Sequence, residues 1–376
     1  MSPEITAAII AAGASILTLT GTVVAQVIGF RSTKANTEQQ TKAAQKATAD
    51  TLRQQREHLD RTLAEQREQL NTTLKAQSDQ LDRTLAEQRT RTLNERFATA
   101  AGQLGSDKSA VRLAGVYAMA GLADDWEENR QTCVEVLCAN LRMPYEPDPG
   151  SEVPEPQRLI FQTNREVRHT VIRVITAHLR DNANVSWQGL NFDFTGTVFD
   201  GGDFSAAHFS SGVVRFDSAE FSSGTVNFDF ARFSGAGVLF RGAKFSGGRV
   251  TFKYATLSDG MTRFEFAEFS GAAVDFYGAK FPGGTASFKS AKVSSGSIYF
   301  RFAAFSGAKV SFRFAEFSGG KVSFRAARFT GSEFDFDNTE FSGGEIDFSR
   351  PGDWSSPPVP WTHTPPPGVK LPYTAG

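Results

Sequence analysis

Residues 310–329 read VSFRFAEFSGGKVSFRAARF and state one twelve-residue phrase twice, with Val310, Phe312, Ala315 and Phe317 answered by Val322, Phe324, Ala327 and Phe329. Outward from this stretch, a Phe returns every twelve residues from Phe204 to Phe348, at 216, 228, 240, 252, 264, 276, 288, 300, 312, 324 and 336. An apolar residue stands two before most of these (Val214, Val226, Val238, Val250, Val274, Ile298, Val310, Val322), and another stands five after, as at Phe221, Phe233, Phe245 and Phe269. Self-similarity at a short fixed period marks a solenoid, whose units bury their apolar faces only against their neighbours.

A spacing of two within V-x-F and A-x-F puts both apolar residues on one side of a very short strand, and Ser-Gly-Gly or Ser-Gly-Ala supplies the corners. Just upstream the spacing tightens to five, through Phe194, Phe199, Phe204 and Phe209 in FDFTGTVFDGGDFSAAHF. With Ala two before a large residue at Ala231/Phe233, Ala243/Phe245, Ala267/Phe269, Ala279/Phe281 and Ala315/Phe317, the chain resembles the pentapeptide-repeat family, in its membrane-anchored bacterial type with Phe-rich, degenerate repeats. That resemblance covers about residues 185–349 and implies a right-handed quadrilateral β-helix with four pentapeptides per coil. The spacing here, five plus seven, departs from that rule. It fits either a 24-residue coil with two tight and two wider corners or a flattened 12-residue coil with two faces. Two Phe per twelve residues need interior width, and no cysteines staple a thinner core, so the larger coil is favoured. The thirteen units would then rise about 30 Å instead of about 60 Å.

The whole chain is near neutral, with 40 basic and 41 acidic residues, but 31 of its 34 Phe fall between 191 and 350. The sequence therefore reads as an α+β chain of five modules: a transmembrane helix over 5–30, a helical stalk over 31–97, a helical HEAT-like unit over 98–181, the pentapeptide-type β-helix over 182–350 and a Pro-rich tail over 351–376. Residues 5–30 carry no charge and are long enough to cross a bilayer as one helix. Arg31 and Lys34 follow at once, which predicts a single-pass plasma (inner) membrane protein with its later domains in the cytoplasm. Gly21, Ala25 and Gly29 form a small-residue row suited to close helix packing.

No Gly or Pro lies between Gly29 and Gly102, so one long helix is expected there. Leu52, Leu59, Leu63, Leu70, Leu74, Leu81 and Leu85 alternate spacings of seven and four. An eleven-residue period predicts a straight or slightly right-handed bundle in place of the left-handed coiled coil of heptad sequences. The apolar stripe is narrow and lacks aromatics, which suits a homo-oligomeric seam through these leucines better than a helix lying on lipid. Beyond it, SAVRLAGVYAMAGLADDW, ENRQTCVEVLCANLRM and NREVRHTVIRVITAHLRD each read as amphipathic helices, the last preceded by a Pro-rich link, MPYEPDPGSEVPEPQ. The small residues of RLAGVYAMAGLA look like those of a HEAT-type helix. Trp187 and Leu190 are expected to begin capping the first coil. The tail, with eight prolines in its 26 residues, is expected to be extended or disordered, a spacer in which Trp354 or Trp361 folds back over the last coil.

No catalytic constellation is legible. The histidines at 58, 169, 178, 208 and 363 are scattered, and His169 and His178 fall on opposite faces of one helix. Cys133 and Cys138, five apart, suit neither a disulfide nor a metal motif, and no phosphate-binding loop appears. The sequence points to a protein that is not an enzyme and uses no cofactor or metal. One outward column, the residue after each repeat Phe, is mostly cationic: Arg241, Lys253, Glu265, Tyr277, Lys289, Arg301, Arg313 and Arg325, with Phe230, Tyr254, Phe266, Phe302 and Phe314 beside it. A 24-residue coil would split this column between opposite sides. The candidate interaction surface is Arg241, Lys253, Tyr254, Phe266, Lys289, Arg301, Phe302, Arg313, Phe314 and Arg325. Some pentapeptide-repeat proteins imitate DNA and protect topoisomerases, but residues 190–350 hold 17 Lys plus Arg and 17 Asp plus Glu, a net of 17 − 17 = 0, which does not imitate a polyanion. The expectation is a membrane-anchored scaffold that docks an unnamed protein. The alternative is a peripheral binder of anionic lipid or nucleic acid through the basic column, with nucleic acid disfavoured.

Overall fold

The computed structural model describes residues 34–146, 148–258, 260–354, 357–359 and 365–372, with side chains from residue 41 onward. The segment 5–30, assigned to a membrane span, lies outside the described residues. Among the described residues no helix is long and apolar enough to cross a membrane. The chain divides into two compact units between Glu87 and Gln88.

The long helix expected from the Gly- and Pro-free stretch is α1 (Lys34–Leu104), 71 residues in one piece. Within the first unit its seven stripe leucines are 44–59 % exposed, so a single chain leaves the eleven-residue stripe uncovered. In the second unit the last turns of α1 bury Leu93, Ala100 and Leu104 with α2 (Ser109–Asp125), α3 (Arg130–Arg142) and α4 (Glu155–Leu179). Gly115 permits this close approach, because a Cβ there would stand 2.7 Å from the Leu104 backbone nitrogen. One boundary differs from the sequence reading. Helix α4 begins at Glu155, so RLIFQT, assigned to no helix, and EPQ, assigned to the link, are both helical. Pro154 precedes the helix and Pro156 sits in its first turn, where the missing N–H would have had no helical acceptor.

From Phe192 onward the chain winds into a parallel β-solenoid of about seven turns, with four sheets of seven, seven, eight and six strands. Register settles the coil length. Val226 pairs with Val250, Val250 with Val274, and Val274 with Ile298, each 24 residues on. The 12-residue coil is thereby excluded, and the stack rises about 30 Å. The first coil is shorter, with Phe192 paired to Val214 and Val198 to Glu220, because its five-residue spacing omits one wide corner. One coil has four faces, represented by Val213–Arg215, Glu220–Phe221, Thr225–Asn227 and Arg232–Ser234. Inside, the repeat phenylalanines stack face to face between coils, as in Phe216–Phe240–Phe264–Phe288 at 4.8, 4.7 and 4.8 Å.

The V-x-F phrase is not one strand, as its alternation suggests. Val214 centres a strand, whereas Phe216 opens a tight turn that closes when the Ala219 N–H donates to the Phe216 carbonyl at 3.1 Å. The wide Ser-Gly-Gly corners have another logic. A Cβ on Gly247 would lie 2.2 Å from the Ser222 carbonyl oxygen of the preceding coil, so glycine is set there by the approach of one coil to the next.

Both ends of the stack are closed. Helical side chains satisfy carbonyls of the first coil: Arg142 donates to Asp193 O (2.7 Å), Arg168 to Val198 O (2.7 Å) and Thr176 to Asp203 O (2.8 Å). The cap is thus the helical unit. Trp187, expected to cover the edge, is fully buried but stacks on His178 at 4.0 Å and donates to Asp124. At the far end the described part of the tail is ordered, contrary to the expected spacer. Val369–Lys370 adds a strand to Glu345–Asp347, and Trp354 packs 5.7 Å from Phe348 and 5.9 Å from Phe329. Trp361 lies outside the described residues.

Candidate interaction surface

The tight turns fix what the solenoid displays. Each is a Phe-x-x-Ala turn, with Thr339 in place of Ala in the last, and its third residue sits in the left-handed region with φ between +53° and +65°, at 206, 218, 230, 242, 254, 266, 278, 290, 302, 314, 326 and 338. For a residue with a Cβ this conformation costs about 1–2 kcal/mol, and Gly or Asn tolerates it best. Gly242, Gly278 and Asn338 follow that preference. Phe230, Tyr254, Phe266, Phe302 and Phe314 oppose it and are 44–62 % exposed, so these rings bring limited burial to offset the strain. Strain held at exposed aromatic residues is characteristic of recognition surfaces.

Because the coil is 24 residues, the predicted surface falls on two corners. The first, between the Thr225–Asn227 and Arg232–Ser234 faces, carries Lys253, Tyr254, Arg301, Phe302 and Arg325. The second, between the Val213–Arg215 and Glu220–Phe221 faces, carries Arg241, Phe266, Lys289, Arg313 and Phe314. They are not equivalent. On the first, four rings form a continuous ladder over successive coils: Phe230 to Tyr254 at 5.3 Å, Tyr254 to Tyr277 at 5.6 Å, and Tyr277 to Phe302 at 5.2 Å. Gly278 makes the ladder possible, since a Cβ there would meet the Tyr254 ring at 2.8 Å. On the second, Phe266 and Phe314 are two coils apart, separated by Ser290, and do not stack.

Charge separates the corners further. Arg241 pairs with Glu265 at 3.7 Å and Arg313 with Asp335 at 3.6 Å on the second corner. The adjoining face alternates sign in register, Glu220–Lys244–Glu268–Lys292–Glu316, so opposite charges face each other across coils. On the first corner and the strand after it, residues 253–258, 277–282, 301–306 and 325–330 hold Lys253, Lys280, Arg301, Arg325 and Arg328 with no acid among them. Lys253 approaches the buried Asp275 at 4.0 Å. Arg301 lies over the Tyr277 and Tyr299 rings at 5.9 and 5.8 Å and, like Arg325, forms no ion pair among the described residues. The neutral sum over residues 190–350 therefore conceals one basic aromatic edge.

Elsewhere the chemistry is structural. Asp200 of the first coil is buried and accepts from Tyr145 (2.7 Å), Arg165 (3.0 Å) and His169 (3.0 Å). Burial alone would raise its carboxyl, but the hydrogen bonds from His169 and Tyr145 and the charge of Arg165 hold it down at about 2. Burial, with Asp200 alongside, raises the Tyr145 phenol. Residues on α4 and before it are thereby clasped to the first coil. His178 bonds Asp124 instead, so the two histidines have separate partners. Cys133 and Cys138 are free and buried, their thiols raised by burial to about 11 and about 12. Among the described residues no cluster of metal-ligating side chains occurs. Sequence reasoning found the cations and the exposed rings but missed the ladder. Its signal was the twelve-residue series of turn positions in which Gly278 replaces an aromatic and Tyr277 takes the adjacent place.

No protein family, no curated protein and no solved structure matches this chain.

Proposed function

We propose that this protein is a non-enzymatic scaffold of the pentapeptide-repeat kind, in which the first corner of the solenoid docks an acidic partner. The observation that carries the reading is the ladder Phe230–Tyr254–Tyr277–Phe302, with Phe230, Tyr254 and Phe302 in strained turns, bordered by Arg301 and Arg325 without carboxylate partners among the described residues. Aromatic rings beside unpaired guanidinium groups suit a partner that brings carboxylates together with apolar groups. Anchorage through residues 5–30 to the inner membrane, with the solenoid in the cytoplasm, and self-association through Leu52, Leu59, Leu63, Leu70, Leu74, Leu81 and Leu85 belong to the same proposal. The exposure of those leucines in a single chain favours the second part.

The test compares crosslinked captures from native membranes by two double variants. Arg301→Glu with Arg325→Glu reverses the first corner, and Lys289→Glu with Arg313→Glu reverses the second. A protein captured by the natural chain should be lost with the first variant and kept with the second. Equal capture by both variants would remove the first corner from the function.

A further inference from the structure

The basic corner has a chemical counterpart within this same chain. Helices α3 and α4 are joined by residues 143–154, which read MPYEPDPGSEVP and contain no basic residue. At twelve residues this connection lies at the long end of those found within compact domains. Tyr145 pins one end to Asp200, and Pro154 leads into α4 at the other. Between these anchors Glu146, Asp148 and Glu152 are exposed and form no ion pair among the described residues. Carboxylates alternating with proline favour an extended backbone, and proline rings dock on exposed aromatic side chains.

We infer that the occupant of the first corner is this acidic, proline-rich loop from a second copy of the chain. The inference rests on the corner being a docking surface and names its partner. Dimensions agree. Lys253 and Arg325 are three coils apart, about 14 Å, and the six residue steps from Glu146 to Glu152 reach up to about 19 Å when extended. The loop cannot serve its own corner. It is fastened over the first coil, while Arg301 and Arg325 lie on the fifth and sixth, about 19 and 24 Å along the axis. Glu146 and Glu152 meet the Lys and Arg side chains, and Pro149 between them lies against the rings of Tyr254, Tyr277 and Phe302. Each copy offers one loop and one corner, so the contact can be reciprocated across a two-fold axis or passed head to tail from copy to copy.

The experiment uses the purified full-length chain with a photoreactive benzoylphenylalanine in place of Phe302. Isotope-labelled and unlabelled copies are mixed, irradiated and digested, and the crosslinked peptides are identified by mass. Mixed-isotope crosslinks should run from position 302 to residues 146–153. Their yield should fall about fivefold or more with Glu146→Lys plus Glu152→Lys, or with Arg301→Glu plus Arg325→Glu. It should recover when the loop-reversed protein is mixed with the corner-reversed one, which no loss of folding would allow. Crosslinks landing elsewhere on the second copy, or none between copies, overturn the inference. The same probe in native membranes separates the two levels. Capture of a different protein in place of the loop overturns this inference and leaves the docking corner standing, whereas no protein crosslink at all overturns both.

Discussion

Phe264 and Phe266 stand two residues apart in one repeat, and replacing them should change stability in opposite directions. Phe264 is 1 % exposed and stacks on Phe240 and Phe288 at 4.7 and 4.8 Å. Phe264→Ala opens a cavity at the centre of three coils and should cost about 3–5 kcal/mol. Phe266 is 56 % exposed, at φ +59°. Phe266→Asn relieves about 1–2 kcal/mol of left-handed strain, since Asn accepts that conformation, and gives up about 1 kcal/mol of partial ring burial. The net effect is between zero and about 1 kcal/mol of stabilisation. The assay is thermal unfolding of the two variants beside the natural chain. Phe266→Asn should leave the midpoint unchanged or raise it by up to about 4 °C, and Phe264→Ala should lower it by about 10 °C or more. A loss of more than about 1 kcal/mol with Phe266→Asn would show that the exposed rings support the coil, and the argument from strain to recognition would fail.

Gly247→Ala sets a Cβ against the Ser222 carbonyl and should cost about 2–3 kcal/mol. Gly307→Ala, at φ +70° with nothing within 4 Å, should cost only about 1 kcal/mol, so urea midpoints of the pair separate coil contact from turn strain. The Asp200 carboxyl, held at about 2 against an ordinary 3.8, contributes stability that is present above pH 3.8 and is lost as the pH falls toward 2. The contribution is on the order of 2 kcal/mol. Urea unfolding between pH 6 and pH 3 should show Asp200→Asn flattening the acid side of the profile, and an unchanged profile would mean that the clasp does not hold α4. Leu63→Glu with Leu74→Glu should dissociate any stalk-mediated oligomer in sedimentation while far-ultraviolet circular dichroism keeps its helical signal, because both leucines are exposed in the single chain. Persistence of the oligomer would place its seam elsewhere.

The solenoid was legible because Phe and Val carry its period directly, and the 24-residue coil followed from the interior width that two rings per twelve residues require. The turn geometry was less legible. Alternation in V-x-F looks identical whether Phe216 ends a strand or opens a turn, and only the Ala219-to-Phe216 hydrogen bond decides. The start of α4 was misread because Pro154 and Pro156 signal a linker in sequence, although the first turn of a helix accepts proline. The cap was hidden for a different reason. Arg142, Arg168 and Thr176 are ordinary polar residues of amphipathic helices, and their roles exist only once the first coil presents its carbonyls. The basic edge was half visible, since the cations form a column in sequence, but their sorting onto one corner depends on which members share a side.

That sorting has a consequence for length. The sequence repeats every twelve residues and the structure every 24, so one sequence unit is half a revolution. A chain that gained or lost a single unit between Lys253 and Arg301 would keep every phenylalanine inside, and its core would register no change. Its surface would be rotated by half a turn: Arg301 and Arg325 would move to the side opposite Lys253, while Trp354 and the closing strand would turn together with the last coil they cover. Insertions or deletions compatible with the displayed edge therefore come in whole revolutions, and growth by even numbers of units is a constraint set by the surface alone.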